Sequence, residues 1–212
     1  QMIDAVNAAV SASDAVLAQI GNDADDTNTD TSVTVAQLNQ IMPALTGVNS
    51  DNEAAYQAYI DANPDAFASP ATQVEVQEMI NAVNASQDVL AQIGNEADEP
   101  DTVDSAVTVD QLNQISPALT GVNSDNIDEY QDYIDANPDA FSSPATPAQV
   151  QAMVDAVNAA VNASDAVLAQ IGNEADEPNT VNSVVTIDQL NQIMPALTLS
   201  LIHISEPTRL TC

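Results

Sequence analysis

The sequence predicts an all-α protein built from tandem three-helix bundles, with a repeat of about 74 residues and acidic linkers between the bundles. Apolar residues recur with the period of a helix, and helix-start signals recur ahead of them. The segment Tyr56–Val76 also returns almost letter for letter as Tyr130–Val150. A self-similar period of this length is typical of a repeat array.

The charge balance is one-sided. The 212 residues include 32 Asp and Glu but only one Lys or Arg, which gives a formal net charge of −31. Surface charges of one sign repel one another, and only mobile cations screen them. Such a surface disfavours nucleic-acid phosphates and anionic lipid, so we expect no nucleic-acid partner. No apolar run is long enough to span a bilayer, and we expect no membrane insertion.

The C-terminal segment Leu199–Arg209 resembles a translated sequencing adapter. The repeat departs from its pattern at the same place, because the PALTG of Pro43 and Pro117 becomes PALTL at Pro195. We therefore expect residues 199–212 to be a read-through artefact and exclude them from fold reasoning, with a divergent natural tail as the alternative. The segment holds the only His, Arg and Cys of the chain, which are His203, Arg209 and Cys212.

The first predicted helix carries an apolar stripe on one side. In the third copy Val150, Val154, Val157 and Val161 follow at spacings of four and three, as on an amphipathic helix. The middle copy lacks four residues after Val83, and four residues are about one helical turn, so its stripe realigns. We expect each copy to end at a glycine in a left-handed C-cap, at Gly21, Gly94 and Gly172.

The second predicted helix opens with a capping box in every copy, and in the first copy Thr34 pairs with Gln37. Leu38 and Ile41 lie on its apolar side. Pro43 disturbs or ends it, because a proline disfavours helical geometry in the residue before it. The equivalent boxes are Thr108–Gln111 and Thr186–Gln189, and similar boxes open the first helix at Thr72–Glu75 and Thr146–Gln149.

The third predicted helix opens at Ser50, with Glu53 completing a capping box, and Asn63 closes it ahead of Pro64. All aromatic residues lie in this helix, in the turn after it and in their second copy. We expect core packing for them rather than a glycan- or peptide-binding face, because a core of small Ala and Val side chains needs large ones. They are Tyr56, Tyr59, Phe67, Tyr130, Tyr133 and Phe141.

Domain boundaries belong in the longest polar connections, which are the acidic segments. The chain starts in mid-pattern, without an initiator Met, which we interpret as a monomeric fragment of a longer protein. In chain order we expect the C-terminal helix of a truncated preceding repeat at 1–20, an acidic linker at 21–32, a three-helix bundle at 33–93, a linker at 94–106, a second bundle at 107–171, a linker at 172–183, a truncated third repeat at 184–198, and the adapter at 199–212.

The acidic loops also allow a calcium interpretation. Asp23, Asp25, Asp26 and Asp30 place oxygen donors close together, and Ca²⁺ prefers carboxylate ligands. However, no copy has the EF-hand arrangement, and the third copy replaces acids with amides, as at Asn179. A solvated linker without metal is the favoured interpretation, and weak calcium binding is the alternative.

Catalysis finds little support. No His, Cys or Lys precedes residue 199, so the usual bases, nucleophiles and zinc ligands are absent. Paired carboxylates such as Asp128 and Glu129 could serve a hydrolase, but on an amphipathic helix a solvated face is the simpler interpretation. We therefore expect no enzyme, no catalytic residues and no cofactor.

The strings VTVxQLNQI, PALTGVNSDN, AYIDANPDAF and SPAT…VQ together resemble tandem helical modules of very large acidic secreted or surface proteins of aquatic bacteria, some of them adhesin-like. The resemblance covers residues 1–198. It implies an extracellular or cell-surface location and a non-enzymatic stalk or spacer role. A looser similarity to three-helix bacterial surface modules implies the alternative of a protein- or glycan-binding module, without transferable binding residues. An acidic DNA-mimic decoy is a weaker alternative.

Overall fold

The computed structural model describes residues 1–25, 32–98, 106–176 and 184–194. Within these ranges every regular element is helical and no strand occurs, which confirms the all-α prediction. The eight α-helices are α1 (Met2–Asp25), α2 (Val35–Leu38), α3 (Glu53–Ala62), α4 (Gln73–Asp98), α5 (Val109–Leu112), α6 (Ile127–Ala136), α7 (Pro147–Asp176) and α8 (Ile187–Leu190).

The chain divides into two compact units, Gln1–Asp155 and Ala156–Cys212. The first unit holds α1 to α6 and the beginning of α7, and the second holds the rest of α7 and α8. The bundle boundaries expected at 33–93 and 107–171 stay a prediction.

The three long helices do not end at the glycines, so the expected C-caps there are wrong. Helices α1, α4 and α7 continue to Asp25, Asp98 and Asp176, and the glycines lie inside them. The first residues of the segments expected as linkers are therefore helical. Among the described residues, positive φ angles occur at two other glycines, Gly47 and Gly121, both at 73°. A left-handed backbone favours glycine at those two positions.

The short helices begin where the capping boxes predict. The Gln37 N–H donates to Thr34 Oγ1 at 3.3 Å, and the Thr34 N–H donates to Gln37 Oε1 at 2.9 Å. The boxes at Thr108 and Thr186 have the same two bonds. Each of these helices is four residues long.

The start of α3 differs from the prediction. Asn49, not Ser50, is the capping residue, and its Oδ1 accepts from the Asp51 N–H at 3.1 Å ahead of a 3₁₀ turn at Ser50–Asn52. An Asn side chain reaches the backbone two residues on, which stabilises such a turn before the helix begins. Asn123 does the same ahead of α6.

The core of the first copy combines two long helices with the short elements between them. Helix α1 contributes residues near Ile20, α4 contributes residues near Ile80, and the connecting segment contributes its aromatic and aliphatic side chains. The fully buried members include Ile20, Leu38, Ile41, Tyr56, Ile60, Val76, Met79 and Ile80.

The aromatic residues pack as predicted. Tyr56 and Tyr130 are fully buried, and Phe67 is nearly so. The rings of Tyr59 and Phe67 meet edge-on, with centroids 6.3 Å apart, and Tyr133 repeats this with Phe141 at 6.4 Å. The edge-to-face geometry is a favourable one for aromatic pairs.

Candidate functional site

The residues proposed as calcium ligands do not form a group in the described part of the chain. Asp23 is buried on α1, and its Oδ2 accepts from Gln57 Nε2 at 2.6 Å. Asp25 is exposed, and Asp26 and Asp30 lie outside the described residues. Among the described residues no cluster of three or more His, Cys, Asp or Glu could hold a metal ion. The structure thus gives Asp23 a role in joining α1 to α3, and calcium binding stays a prediction.

The paired carboxylates considered for hydrolysis lie on the first turn of α6. Asp128 is exposed and Glu129 is half-buried, and Glu129 Oε2 is buried without a hydrogen-bond partner. No His, Cys or Lys occurs in the described ranges to act beside them. The solvated face expected for this pair holds for the exposed Asp128 and not for the buried oxygen of Glu129.

Gly21 marks a close approach between α1 and the turn after α3. A Cβ atom at Gly21 would lie 2.6 Å from the carbonyl oxygen of Ala68 and 2.8 Å from the backbone nitrogen of Ala71. The Ala71 N–H also donates to the Leu17 carbonyl at 3.0 Å. Backbone packed this closely on a helix excludes any side chain, so the glycine is needed for contact rather than for conformation.

The second copy repeats this contact. A Cβ at Gly94 would lie 2.7 Å from the Ser142 carbonyl oxygen, and the Ala145 N–H donates to the Leu90 carbonyl at 2.9 Å. At Gly172, by contrast, no atom of the described residues lies within 4 Å of the corresponding position. Within the described ranges the contact thus occurs on α1 and α4 but not on α7.

A buried serine joins each long helix to the segment after the short helix. Ser86 Oγ accepts from the Ser116 N–H at 2.9 Å, and Ser86 is 1% exposed. Ser13 accepts from Met42 and Ser164 from Met194 in the same way. The sequence reasoning missed this serine, although its recurrence at the equivalent position of all three copies was the available signal.

Asn84 joins α4 to the segment that precedes α3. Its Oδ1 accepts from the Tyr56 hydroxyl and from Asn52 Nδ2, both at 2.8 Å, and its Nδ2 donates to the Gly47 carbonyl at 2.7 Å. The Tyr56 hydroxyl in turn accepts from the Asn49 N–H at 3.0 Å. We call this set the Asn84 clamp. All its members are neutral, so its bonds do not depend on pairing charges.

The two ends of α4 therefore contact different copies of the repeat. Its N-terminal part carries Asn84 and the residues buried in the core of the first copy. Its C-terminal part carries Ser86, Leu90 and Gly94, which contact the segment between α5 and α7. The helix has 26 residues, a length of about 39 Å. One continuous helix thus links two successive copies, and we call α4 the shared helix.

An apolar cleft of about 340 Å³ lies beside the shared helix, within the first unit. Ala54, Ala55 and Ala58 of α3 line it, together with Tyr59 and Pro117. The counterparts of the three alanines in the second copy are all acidic, namely Asp128, Glu129 and Asp132. The apolar lining is thus specific to the first copy.

The carboxylate of Glu75 accepts hydrogen bonds from two backbone N–H groups. Its Oε2 accepts from the backbone N–H of Thr72 at 2.8 Å and of Ala68 at 3.1 Å. The bond from Thr72 and then that from Ala68 lower the pKa of Glu75 below its usual range, because they favour the ionised carboxylate. Gln149, at the start of α7, accepts the equivalent bonds without a charge.

In the described part of the chain, no helix combines the length and the apolar character that crossing a membrane requires. Comparison of the sequence with known protein families, with curated proteins and with solved structures gives no match.

Proposed function

We propose that the chain is a non-enzymatic repeat region that acts as a stalk or spacer in a large extracellular or cell-surface bacterial protein. In this proposal each repeat of about 74 residues forms a three-helix unit. The observation that carries it is the shared helix, whose two ends contact two successive copies. A helix held at both ends fixes the distance and the orientation between the copies it joins.

The polar chemistry of the contacts supports a structural role. Serine, asparagine, glutamine and tyrosine make the bonds between the long helices and the segments between them. Such bonds specify which surfaces meet, since a buried polar group without its partner costs free energy. The net charge of −31 adds repulsion between copies that are distant along the chain, which favours an extended array.

The spacer proposal is tested by the distance between two copies. Cysteines at Asp51 and Asp125, both exposed and at equivalent positions, would carry spin labels in a Cys212→Ser background. We expect one narrow distance distribution, unchanged between low and high salt. A broad distribution, or one that shifts with ionic strength, would contradict a spacer of fixed geometry.

A protein- or glycan-binding module is the second candidate, and the apolar cleft of the first copy favours it. Ala58→Asp would give the first copy the acidic residue that the second copy has at this position. Screening of immobilised glycans and surface proteins should detect no ligand if the chain is a spacer. A ligand that binds the wild-type chain and is lost with Ala58→Asp would establish the binding function instead.

The acidic DNA-mimic decoy is the weakest candidate, because it rests on the net charge alone. A decoy would displace DNA from a basic protein at physiological salt. We expect no displacement, because the acids of a general solvated surface are not spaced like phosphates.

A further inference from the structure

The N-terminal half of α1 exposes an apolar stripe. Met2 is 83% exposed, Ile3 is 73% exposed, Val6 is 53% exposed and Val10 is 44% exposed. These residues recur at helical spacing and so share one side of the helix. A contiguous row of large apolar side chains in water is typical of an interaction surface.

The same sequence is buried elsewhere in the chain. Met2–Ala8 reads MIDAVNA and Met79–Ala85 reads MINAVNA, so they differ at one position. Met79 and Ile80, the counterparts of Met2 and Ile3, have no exposed surface, and Val83 is 2% exposed. The same three apolar side chains are thus exposed on α1 and buried on α4.

The segment from Val33 to Thr72 covers the stripe on α4. It contributes four large side chains to the core that holds Met79 and Ile80, namely Leu38, Ile41, Tyr56 and Ile60. It also supplies the Gly47 carbonyl, Asn52 and the Tyr56 hydroxyl to the Asn84 clamp. The counterpart of Asn84 on α1 is Asn7, which is exposed.

We propose that the exposed face of α1, formed by Met2, Ile3, Val6, Asn7 and Val10, is a docking surface for another repeat module. The partner is a polypeptide segment with the pattern of residues 33–72, including its glycine, its Asn–Tyr pair and its aliphatic side chains. Asn7 takes the place of Asn84 in the clamp. This inference rests on the proposed function as a repeat region, and it names the partner that binds the exposed face of α1.

A second copy of the chain, bound through its own α1, fits this face less well. A second α1 packed on the first would bury a row of about ten residues, a length of about 15 Å. Such a contact is small beside the interface of a stable complex, and it gives Asn7 none of the partners that Asn84 has in the clamp.

At a second position too, a face of a long helix is buried where part of this segment packs on it. The turn at Ala68–Ala71, which packs on Gly21, has a second copy at Ser142–Ala145 that packs on Gly94. The sequence after Met194 lacks the Ser–Pro–Ala pattern of this turn, and no atom of the described residues lies within 4 Å of a Cβ at Gly172. Leu168 is correspondingly 46% exposed, whereas Leu90 is 1% exposed. In both cases a face of a long helix is exposed where no described segment of this pattern packs on it.

The test adds one repeat module to the intact chain. A copy of residues 1–77 fused to the N-terminus continues the helix in register, because Gln1 then takes the position of Glu78. Amide hydrogen exchange of residues 2–10 is measured in the original and the extended chain. We expect exchange at these amides to slow by at least about tenfold in the extended chain, since docking makes their opening part of a larger unfolding event.

Val6→Asp separates docking from a general effect of chain length. In the original chain we expect its midpoint of thermal unfolding to stay unchanged, because Val6 is exposed. In the extended chain it should lower the midpoint and abolish the gain in protection. The control is Val74→Asp, an exposed valine of α4 that should have no effect in either chain.

Two results would overturn the proposal. One is equally fast exchange of residues 2–10 in both chains while the added module is itself protected. The other is a dimer of the original chain, seen by sedimentation, that Val6→Asp dissociates, since the face would then bind a second copy. Failure of the spacer proposal would give a different result. The spin-label distance distribution would be broad, while residues 2–10 would still gain protection in the extended chain.

Discussion

The Tyr56 hydroxyl on α3 donates to Oδ1 of Asn84 on the shared helix, with 2.8 Å between the two oxygens. Because the same hydroxyl accepts from the Asn49 N–H, one buried phenol joins the start of its own helix to α4. In a chain with almost no basic residues, such neutral bonds replace the salt bridges that usually fix surfaces together.

Tyr56→Phe should lower the free energy of unfolding by about 1–2 kcal/mol, because the Asn49 N–H loses its acceptor while the ring keeps its packing. Urea denaturation measures the change. The control is Tyr59→Phe, which keeps the edge-on contact of Tyr59 with Phe67 and should change the free energy by less than about 0.5 kcal/mol. Equal effects of the two changes would show that the clamp adds nothing.

Gly21→Ala should destabilise the protein by about 1–3 kcal/mol, because the new Cβ would lie 2.6 Å from the Ala68 carbonyl oxygen and the backbone would have to move. Helix propensity acts in the opposite direction, since Ala is favoured over Gly by about 1 kcal/mol within a helix. Gly172→Ala is therefore the matched control, and with no described atom within 4 Å of its Cβ it should be neutral or stabilising. A stabilising Gly21→Ala would refute the close contact.

Glu75 should make stability depend on pH in a defined direction. Its pKa is lowered in the folded state, so its contribution is present above the unfolded-state pKa and is lost as the pH falls through the folded-state pKa. Glu75→Gln should therefore be less stable than the wild-type chain at pH 7, with a difference that shrinks on acidification. Urea titrations at several pH values measure it.

The control for this pH effect is Glu78→Gln on the same helix. It removes an exposed carboxylate that accepts no comparable pair of backbone bonds, so at pH 7 it should only relieve repulsion and raise stability slightly. If Glu75→Gln also raised stability at pH 7, the bonds from Thr72 and Ala68 would not favour the charged form.

Monovalent salt should raise the midpoint of thermal unfolding. The Debye length falls from about 30 Å at 0.01 M to about 3 Å at 1 M, so salt screens the repulsion of a chain with a net charge of −31. In the described residues the one ion pair, between the N-terminal amine and Asp4, is fully exposed, so screening it costs little. A midpoint that falls with NaCl would contradict this account of the charge.

Calcium at matched ionic strength separates screening from specific binding. If the acids near Asp23 are only a solvated and structural set, CaCl₂ and NaCl at equal ionic strength should give similar midpoints. An additional rise that saturates with CaCl₂ concentration would support the calcium alternative instead.

Local sequence patterns predicted much of the fold. The Thr34–Gln37 box predicted the start of a helix, because a capping box satisfies backbone groups within four residues. The need of a small-residue core for large side chains likewise predicted that Tyr56 packs inside, and Tyr56 is fully buried.

Contacts between distant segments were not predictable in this way. Gly21 at the end of an apolar stripe indicated a C-cap, whereas its role is to admit the backbone of Ala68, 47 residues later. Ser86 interrupts the apolar stripe and carries no local signal, yet it accepts from Ser116 across the fold. Both roles depend on which segments meet, and periodicity within one helix does not contain that information.

Because the two ends of the shared helix contact both copies, we expect the copies to unfold as one cooperative unit. The chain contains no Trp, so Tyr59→Trp and Tyr133→Trp, made one at a time, give a fluorescent reporter in each copy. The most direct measurement is urea unfolding of both variants, with and without Ile60→Ala in the core of the first copy. We predict coincident midpoints for the two reporters and an equal shift of both by Ile60→Ala. Separate midpoints, with Ile60→Ala shifting only the reporter at residue 59, would contradict the claim.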